Sequence, residues 1–418
     1  MKKQLECLAS ERLNQDVFKD WRQKFWEKFL SLGLPDKKQE EFRYVALKNL
    51  YQSGLSSCFS LDKITVDAHI LSFCQDNVLV FIDGRYAPGF SCTKHLPLKV
   101  VSKNLKDAFR SYKSFIEKKW KKDLEEEKDP FYTLNMSLFE EGYFLFIPPH
   151  TSISKPLQIL HLTTGEICFP KLELILGEEA HLKVVSKQVS LSSSFVHMNI
   201  GVSLEKQSSC EWTFMEENVL ESYCFLHMAA FLKEGAQFKQ VMTSLRPHGN
   251  RHKIKVSLLE TEARAWAGGL YLGDGKDRLS THVNMFHLAP HTYSTQLFKG
   301  VLNKTSHSHF RGEIYVAPEA LKTEAYQLNN QLLLGQGAVA ISQPNLQILA
   351  DDVKASHGAT ISQLNQEQLF YLQSRGLSPH EAVLILLRGY CDEVLENSFC
   401  HAELLRNMTA LDNYIKCI

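Results

Sequence analysis

From about residue 143 to residue 362 the chain shows no helical period. Short runs rich in Val, Ile, Leu, Phe and Thr follow one another, separated by Gly, Ser, Asn and Pro; YFLFIPP, LELILGEEAHLKVV, FVHMNIGVSLEK, HKIKVSLLE and AVAISQPNLQIL are examples. A doubly wound α/β sheet needs a helix after each parallel strand, and no such helix fits between these runs. A sandwich, a barrel or a parallel β-helix remain. Three features favour the β-helix. Glycine recurs after a strand and before a small residue, at Gly177, Gly235 and Gly337, as repeated turns of stacked coils would require. Asn329 and Asn330 sit between strands where an asparagine ladder would bond to the next coil. The stretch also divides into about nine coils of roughly 20–25 residues, a column ~40 Å long at ~4.8 Å per coil.

Helical patterns bound this stretch on both sides. Phe18, Trp21, Phe25 and Phe29 form one apolar helix face, and Gly33 with Pro35 stops that helix. The aromatic stripe reads as helix core in preference to a docking face. Asp36 and Gln39 are spaced as a capping box for a second helix, DKKQEEFRYVALKNL. DNVLVFIDGRYAPGF predicts a hairpin about Asp83-Gly84. Leu105, Phe109, Tyr112, Ile116, Trp120 and Leu124 keep a helical period through 104–128, with Glu117–Lys121 and Lys121–Glu125 spaced for ion pairs. Residues 365–416 return to helix, and Ser378, Pro379 and Glu381 take the N-cap, N1 and N3 places. Leu384, Leu387, Val394 and Leu395 are apolar positions there. A tail this short has little core of its own, so part of its surface is expected to dock on something. The expected fold is mainly β: an N-terminal mostly helical domain with a small β element (1–142), a parallel β-helix (143–362) and a C-terminal helical domain (363–418).

Composition removes several function classes. Lys plus Arg and Asp plus Glu are both 47, so the formal charge is zero and no basic footprint calls for nucleic acid. No apolar run is long enough for a membrane span, and MKKQLECLASERLNQDV lacks the apolar stretch of a secretory signal, so a cytoplasmic protein is expected. The ten cysteines include no CxxC pair, and free thiols are expected.

Three strings together, GLPDKKQEEFRYVAL, FRGEIYVAPEALKTEAYQLNNQLLLG and ADDVKASHGATISQLNQEQLFYLQSRGLSPHEAVLILLRGYCDEVL, resemble the SufB/SufD family, scaffold subunits of the SUF iron–sulfur cluster assembly machinery. The likeness is strongest over residues 300–396 and weaker over 31–50, and the Gly-Leu-Pro start and the length are similar to the SufD branch. The resemblance implies a right-handed parallel β-helix between two helical domains. It implies a complex with a SufB-like scaffold subunit, paired through the β-helices, and with a SufC-like ABC ATPase held by the C-terminal helices, here through Leu384, Leu387, Val394 and Leu395. It implies a non-catalytic role, with no cofactor bound stably by this chain alone and iron or an iron–sulfur cluster held transiently in the complex. Two features of the residues agree. No GxxxxGK[ST] string occurs, so the chain is not itself the P-loop ATPase, and GGLYLGDGKDR reads as a turn. A β-helix also ends in a strand edge that needs covering, by a partner or, in isolation, by a second copy of the chain.

The resemblance places the partner interface at Ala355, Ser356, His357, Gly358, Ala359 and Thr360, with His357 as a ligand for iron or a proton carrier. The alternative is a buried, hydrogen-bonded histidine that orders the final coil. Many family members carry Cys where this chain has Ala355, so a thiolate beside His357 has to come from the SufB-like partner. His307 and His309 would share one strand face, with His282, His287 and His291 upstream; no cysteine or carboxylate joins them by spacing, the side of Glu313 is open, and outward polar positions are the preferred reading. The competing function is a β-helix carbohydrate-active enzyme. It needs clustered carboxylates, and Asp351-Asp352 is the one adjacent acidic pair in the late strands. A hexapeptide-type acyltransferase needs a six-residue repeat, which the sequence lacks.

Overall fold

A computed structural model describes residues 1–53, 55, 63–218, 222–245 and 248–407. Two long sheets form along the stretch expected to be β. One runs through Leu157–Thr163, His181–Ser190, Ser209–Asn218, Gln237–Leu245, Arg264–Gly273, Tyr293–Leu302, Thr323–Leu333 and Val353–Ser362. The other runs through Tyr143–Ile147, Lys171–Leu176, Phe195–Leu204, Tyr223–Leu232, Gly249–Leu258, Arg278–His287, His307–Val316 and Val339–Ile348. Neighbouring strands within each of these series are parallel, and the chain alternates between the sheets from Lys171–Leu176 onward. The result is a parallel β-helix of about seven turns.

The coils are longer and fewer than the sequence suggests. Stacked partners His181 and Ser209 are 28 residues apart, and Glu324 and Lys354 are 30 apart. One corner of each coil turns through a residue in the left-handed region: Glu179, Gln207, Gly235, Glu262, His291 and Lys322. The next residue (Ala180, Ser208, Ala236, Ala263, Thr292 or Thr323) is small or short and buried beneath the corner. Gly177, Gly235 and Gly337 do lie at corners. Asn329 does not build an asparagine ladder; its Nδ2 donates to the Phe298 carbonyl of the preceding coil at 3.1 Å.

Helices cover the outer face of each sheet. The second sheet turns Phe169, Phe195, Tyr223 and Phe225 outward into one apolar cluster with Phe18, Phe25, Phe29, Phe109 and Trp120. The helix Pro130–Leu138 lies within this cluster and is buried at all nine positions. The aromatic stripe is therefore core, as expected. The string DKKQEEFRYVALKNL is not one helix: it forms a 3-10 turn at Glu40–Phe42 and a short helix at Leu47–Gln52. Its contacts explain why. Phe42 is buried under the Arg251 guanidinium, and Glu40 pairs with Arg311 at 3.0 Å, which ties the segment down onto the β-helix. The Asp83-Gly84 hairpin forms, with φ of 50° and 78° at the two turn residues. Its strand Asn77–Ile82 also pairs in parallel with Leu157–Thr163, so the small β element extends the first sheet. On the helix Leu105–Glu126 the ion pairs among the described residues are Lys113–Glu117 and Lys122–Glu126, with the expected i,i+4 spacing but displaced by four residues and by one from the positions expected.

At the other end, Ser378 and Glu381 form the capping box of the helix Pro379–Leu395. This helix lies on the outer face of the first sheet. Leu387, Val394 and Leu395 are fully buried in a cluster with Val185, Val241, Leu270 and Val301, and Leu384 packs at its margin. Leu387, Val394 and Leu395 are core contacts of the chain itself, which corrects the expectation that they dock the ATPase, while Leu384 stays half-buried. Lys299 pairs with Glu393, and Tyr390 Oη donates to the Asn330 carbonyl at 2.7 Å.

Candidate functional site: the open end of the β-helix

Among the described residues each sheet ends on a strand with no further neighbour, Val353–Ser362 in the first and Val339–Ile348 in the second. A parallel strand with one free side leaves a row of unpaired backbone donors and acceptors. Side chains here are also uncovered: Ile361 is 50% exposed, and Val339 and Leu349 are exposed as well. Ser356, His357, Ala359 and Thr360 are exposed, while Ala355 and Gly358 are half-buried. The six residues expected at an interface thus lie together on the free edge. His357 is exposed, so it is not a buried histidine that orders the final coil.

Register fixes what lies beneath it. Ala325, Gln327 and Asn329 are buried toward the lumen, and they stack under Ala355, His357 and Ala359. His357 therefore stands over the lumen mouth, and it is exposed because the column stops there. The positions below form a file: Trp212, Gln240, Ala267, Gln296, Gln327 and then His357 are successive partners. Gln240, Gln296 and Gln327 are buried, and neither amide atom of any of them finds a hydrogen-bond partner among the described residues. Buried polar groups are nearly always paired, so this file marks the lumen beneath His357 as polar and under-satisfied. Spacing did not reveal it, because the glutamines align only once the coil length is known.

The other histidines are occupied. His307 and His309 sit on one strand face as the spacing predicts, but His309 is buried under the N-terminal segment. It stacks on Tyr44 at 4.6 Å, and its Nε2 lies 2.8 Å from Gln343 Oε1. His282 Nε2 is 3.4 Å from His309 Nδ1. His287 bonds Thr292 and Ser294 at 2.7 and 2.8 Å, and His291 forms a corner. His287 faces the lumen, in line with Val283 and Met285 and stacked between Leu258 and Val316. His282, His307 and His309 face outward as expected, although His282 and His309 are covered rather than solvated. A cavity of about 260 Å³ beside them is lined by Lys37, Arg43, Lys48, Arg278 and His307, a basic set unsuited to a cation. Asp351 and Asp352 lie on the exposed turn before the last strand.

A second exposed feature lies on the C-terminal helices. No residue of Gln366–Ser374 is buried, and Phe370 is 73% and Tyr371 56% exposed. Tyr371, Leu372, Ile385 and Leu386 line a shallow groove between this helix and the next.

With this geometry in hand, comparison with known proteins is decisive. The family model described as SUF system FeS cluster assembly, SufBD core domain matches residues 160–390, and that of the SufBD protein N-terminal region matches residues 4–159. The chain belongs to the SufBD family. Its relatives include a SufBD family protein of Synechocystis, 26% identical over 88% of this chain and 84% of its own length. The iron-sulfur cluster assembly protein SufD of Escherichia coli is 28% identical over 90% and 88%. The protein SufB of Bacillus subtilis is 23% identical over 70% and 64%. Membership replaces the carbohydrate-enzyme reading. Among the described residues no helix is long and apolar enough to cross a membrane, and the eight described cysteines are free.

Proposed function

We propose that this SufBD family chain is a non-catalytic scaffold subunit of a cytoplasmic SUF assembly complex. It pairs edge to edge with a SufB-like subunit and holds a SufC-like ABC ATPase on its C-terminal helices. Iron or a nascent cluster passes as cargo beside His357. One observation carries this reading: the final coil leaves both strand edges and Ile361 open, directly around His357. Relatives named SufB and SufD both align with this chain, so a SufB-like subunit of the same build would present a matching edge. In isolation the same edge accepts a second copy of the chain. The ATPase contact falls on Phe370, Tyr371 and Ile385, the exposed apolar residues of the tail, in place of the buried leucines.

Co-expression with the two partner subunits tests this. Ile361→Lys puts a charge on the free edge and should release the SufB-like subunit while retaining the ATPase. Phe370→Ser with Tyr371→Ser should do the reverse. Loss of both partners in either variant, or of neither, would contradict two separate surfaces.

A further inference from the structure

Deep in the lumen, well below the mouth, one corner is lined by groups that suit a metal. Alternation along each strand directs Glu216, Cys224 and His252 inward, in line with the lumen residues Phe214, Leu226 and Ile254. One carboxylate oxygen, the Sγ and one ring nitrogen of these residues all lie within 4.8 Å of one another. Glu216 and His252 are each 1% exposed and Cys224 is 0% exposed.

Two details distinguish this cluster from an ordinary polar core. His252 Nε2 stands 3.1 Å from Glu216 Oε2, yet among the described residues it has no properly directed hydrogen bond. An imidazole nitrogen and a carboxylate oxygen held this close, in a region of low dielectric, offer two donor atoms to one cation. Glu216 is also firmly oriented. Asn218 Nδ2 donates to Oε1 at 3.0 Å, while Ser244 Oγ and Asn250 Nδ2 donate to Oε2 at 2.7 and 3.3 Å. Such outer hydrogen bonds are what hold a metal-ligating carboxylate in place. Among the described residues no lysine or arginine pairs with Glu216, and His252 is the basic side chain beside it.

We propose that Glu216, Cys224 and His252 form a binding site for one borderline divalent cation of the Fe(II) and Zn(II) class, inside the β-helix. Carboxylate oxygen, thiolate sulfur and imidazole nitrogen suit this class, and three protein ligands leave a fourth position open. A carboxylate and a thiolate together neutralise the ion, which removes the cost of a net charge in the lumen. Binding breaks the S–H bond of Cys224, and that proton leaves to solvent. The site stands apart from His357 and from the scaffold reading, and it revises the expectation that this chain alone holds no metal.

Anaerobic titration of the purified full chain with Co(II) tests the proposal. The expected result is one Co(II) per chain with a thiolate-to-cobalt charge-transfer band. Cys224→Ser should abolish that band, while Cys210→Ser, another buried lumen cysteine, should keep it. Glu216→Gln and His252→Gln should each weaken binding by about tenfold or more. Should Cys224→Ser fail to fold, the two glutamine variants decide. Absence of the band, its survival in Cys224→Ser, or glutamine variants that titrate like the unmodified chain would overturn the site.

Discussion

The N-terminal segment is fastened to the β-helix by a buried ion cluster, and breaking it at Asp129 should loosen that segment specifically. Asp129 caps the helix Pro130–Leu138 by accepting the Phe131 N–H at 3.0 Å. Its carboxylate lies 2.7 Å from the Arg251 guanidinium and 3.4 Å from Lys253 Nζ, and both Asp129 and Arg251 are 1% exposed. Burial would raise the Asp129 carboxyl, but Arg251 and Lys253 outweigh it and hold its pKa below the ordinary carboxylate value. Asp129→Ala leaves the buried guanidinium, among the described residues, with the half-exposed carboxylate of Glu41 at 3.5 Å. Removing one partner of a buried pair costs about 3–5 kcal/mol, and loss of the cap adds ~1 kcal/mol. Amide hydrogen exchange over residues 130–138 reads this directly, since ~1.4 kcal/mol is tenfold in protection. Protection should fall by about a hundredfold or more. Asp129→Ala with Arg251→Met should recover much of that loss, because the charge goes with its partner. Unchanged protection in Asp129→Ala, or two single effects that simply add, would refute the cluster as a fastening.

Acid should destabilise the fold through its buried neutral histidines. His161 has no hydrogen-bond partner on either ring nitrogen among the described residues, and burial pushes its pKa down to about 3. A folded pKa below the unfolded ~6.5 means stability is present above that pH and is lost as pH falls toward 3, at ~1.4 kcal/mol per unit. His161→Leu should therefore flatten the urea midpoint against pH between 6 and 4; an unchanged slope would assign the acid sensitivity elsewhere. His357→Ala, being at an exposed edge, should leave the denaturation midpoint within ~0.5 kcal/mol while lowering iron per assembled complex. A large stability loss, or normal iron content, would count against the interface role. Leu387→Ala should cost about 2–5 kcal/mol in the tail, measured by limited proteolysis after Ser374, because it opens a cavity against the first sheet; a proteolysis rate like that of the unmodified chain would contradict its burial.

The β-helix was legible because roughly 200 residues without a helical period leave few alternatives. The coil length was not. Its corners use non-glycine residues such as Glu179, Gln207, Glu262 and Lys322 in the left-handed region, so no periodic glycine marks the repeat. Everything that depends on coil length stayed hidden with it, including the glutamine file under His357 and the Glu216, Cys224 and His252 cluster. The place of His357 on the final strand was readable from the family resemblance. Its exposure depends on where the stack ends, which a sequence pattern does not give. The capped helix at Ser378 was legible from local chemistry. Whether Leu387 and Val394 face this chain or another is beyond amphipathic spacing, since both destinations require the same stripe.

Hydrogen exchange at the two terminal strands, with and without the SufB-like subunit, tests the scaffold reading most directly. Amides of Val353–Ser362 and Val339–Ile348 that point away from the stack should exchange rapidly in the isolated monomer and become protected when the partner binds. The buried coil at Ser209–Asn218 should stay unchanged. A complex that forms while these edge amides exchange as before would place the interface elsewhere and contradict edge-to-edge pairing.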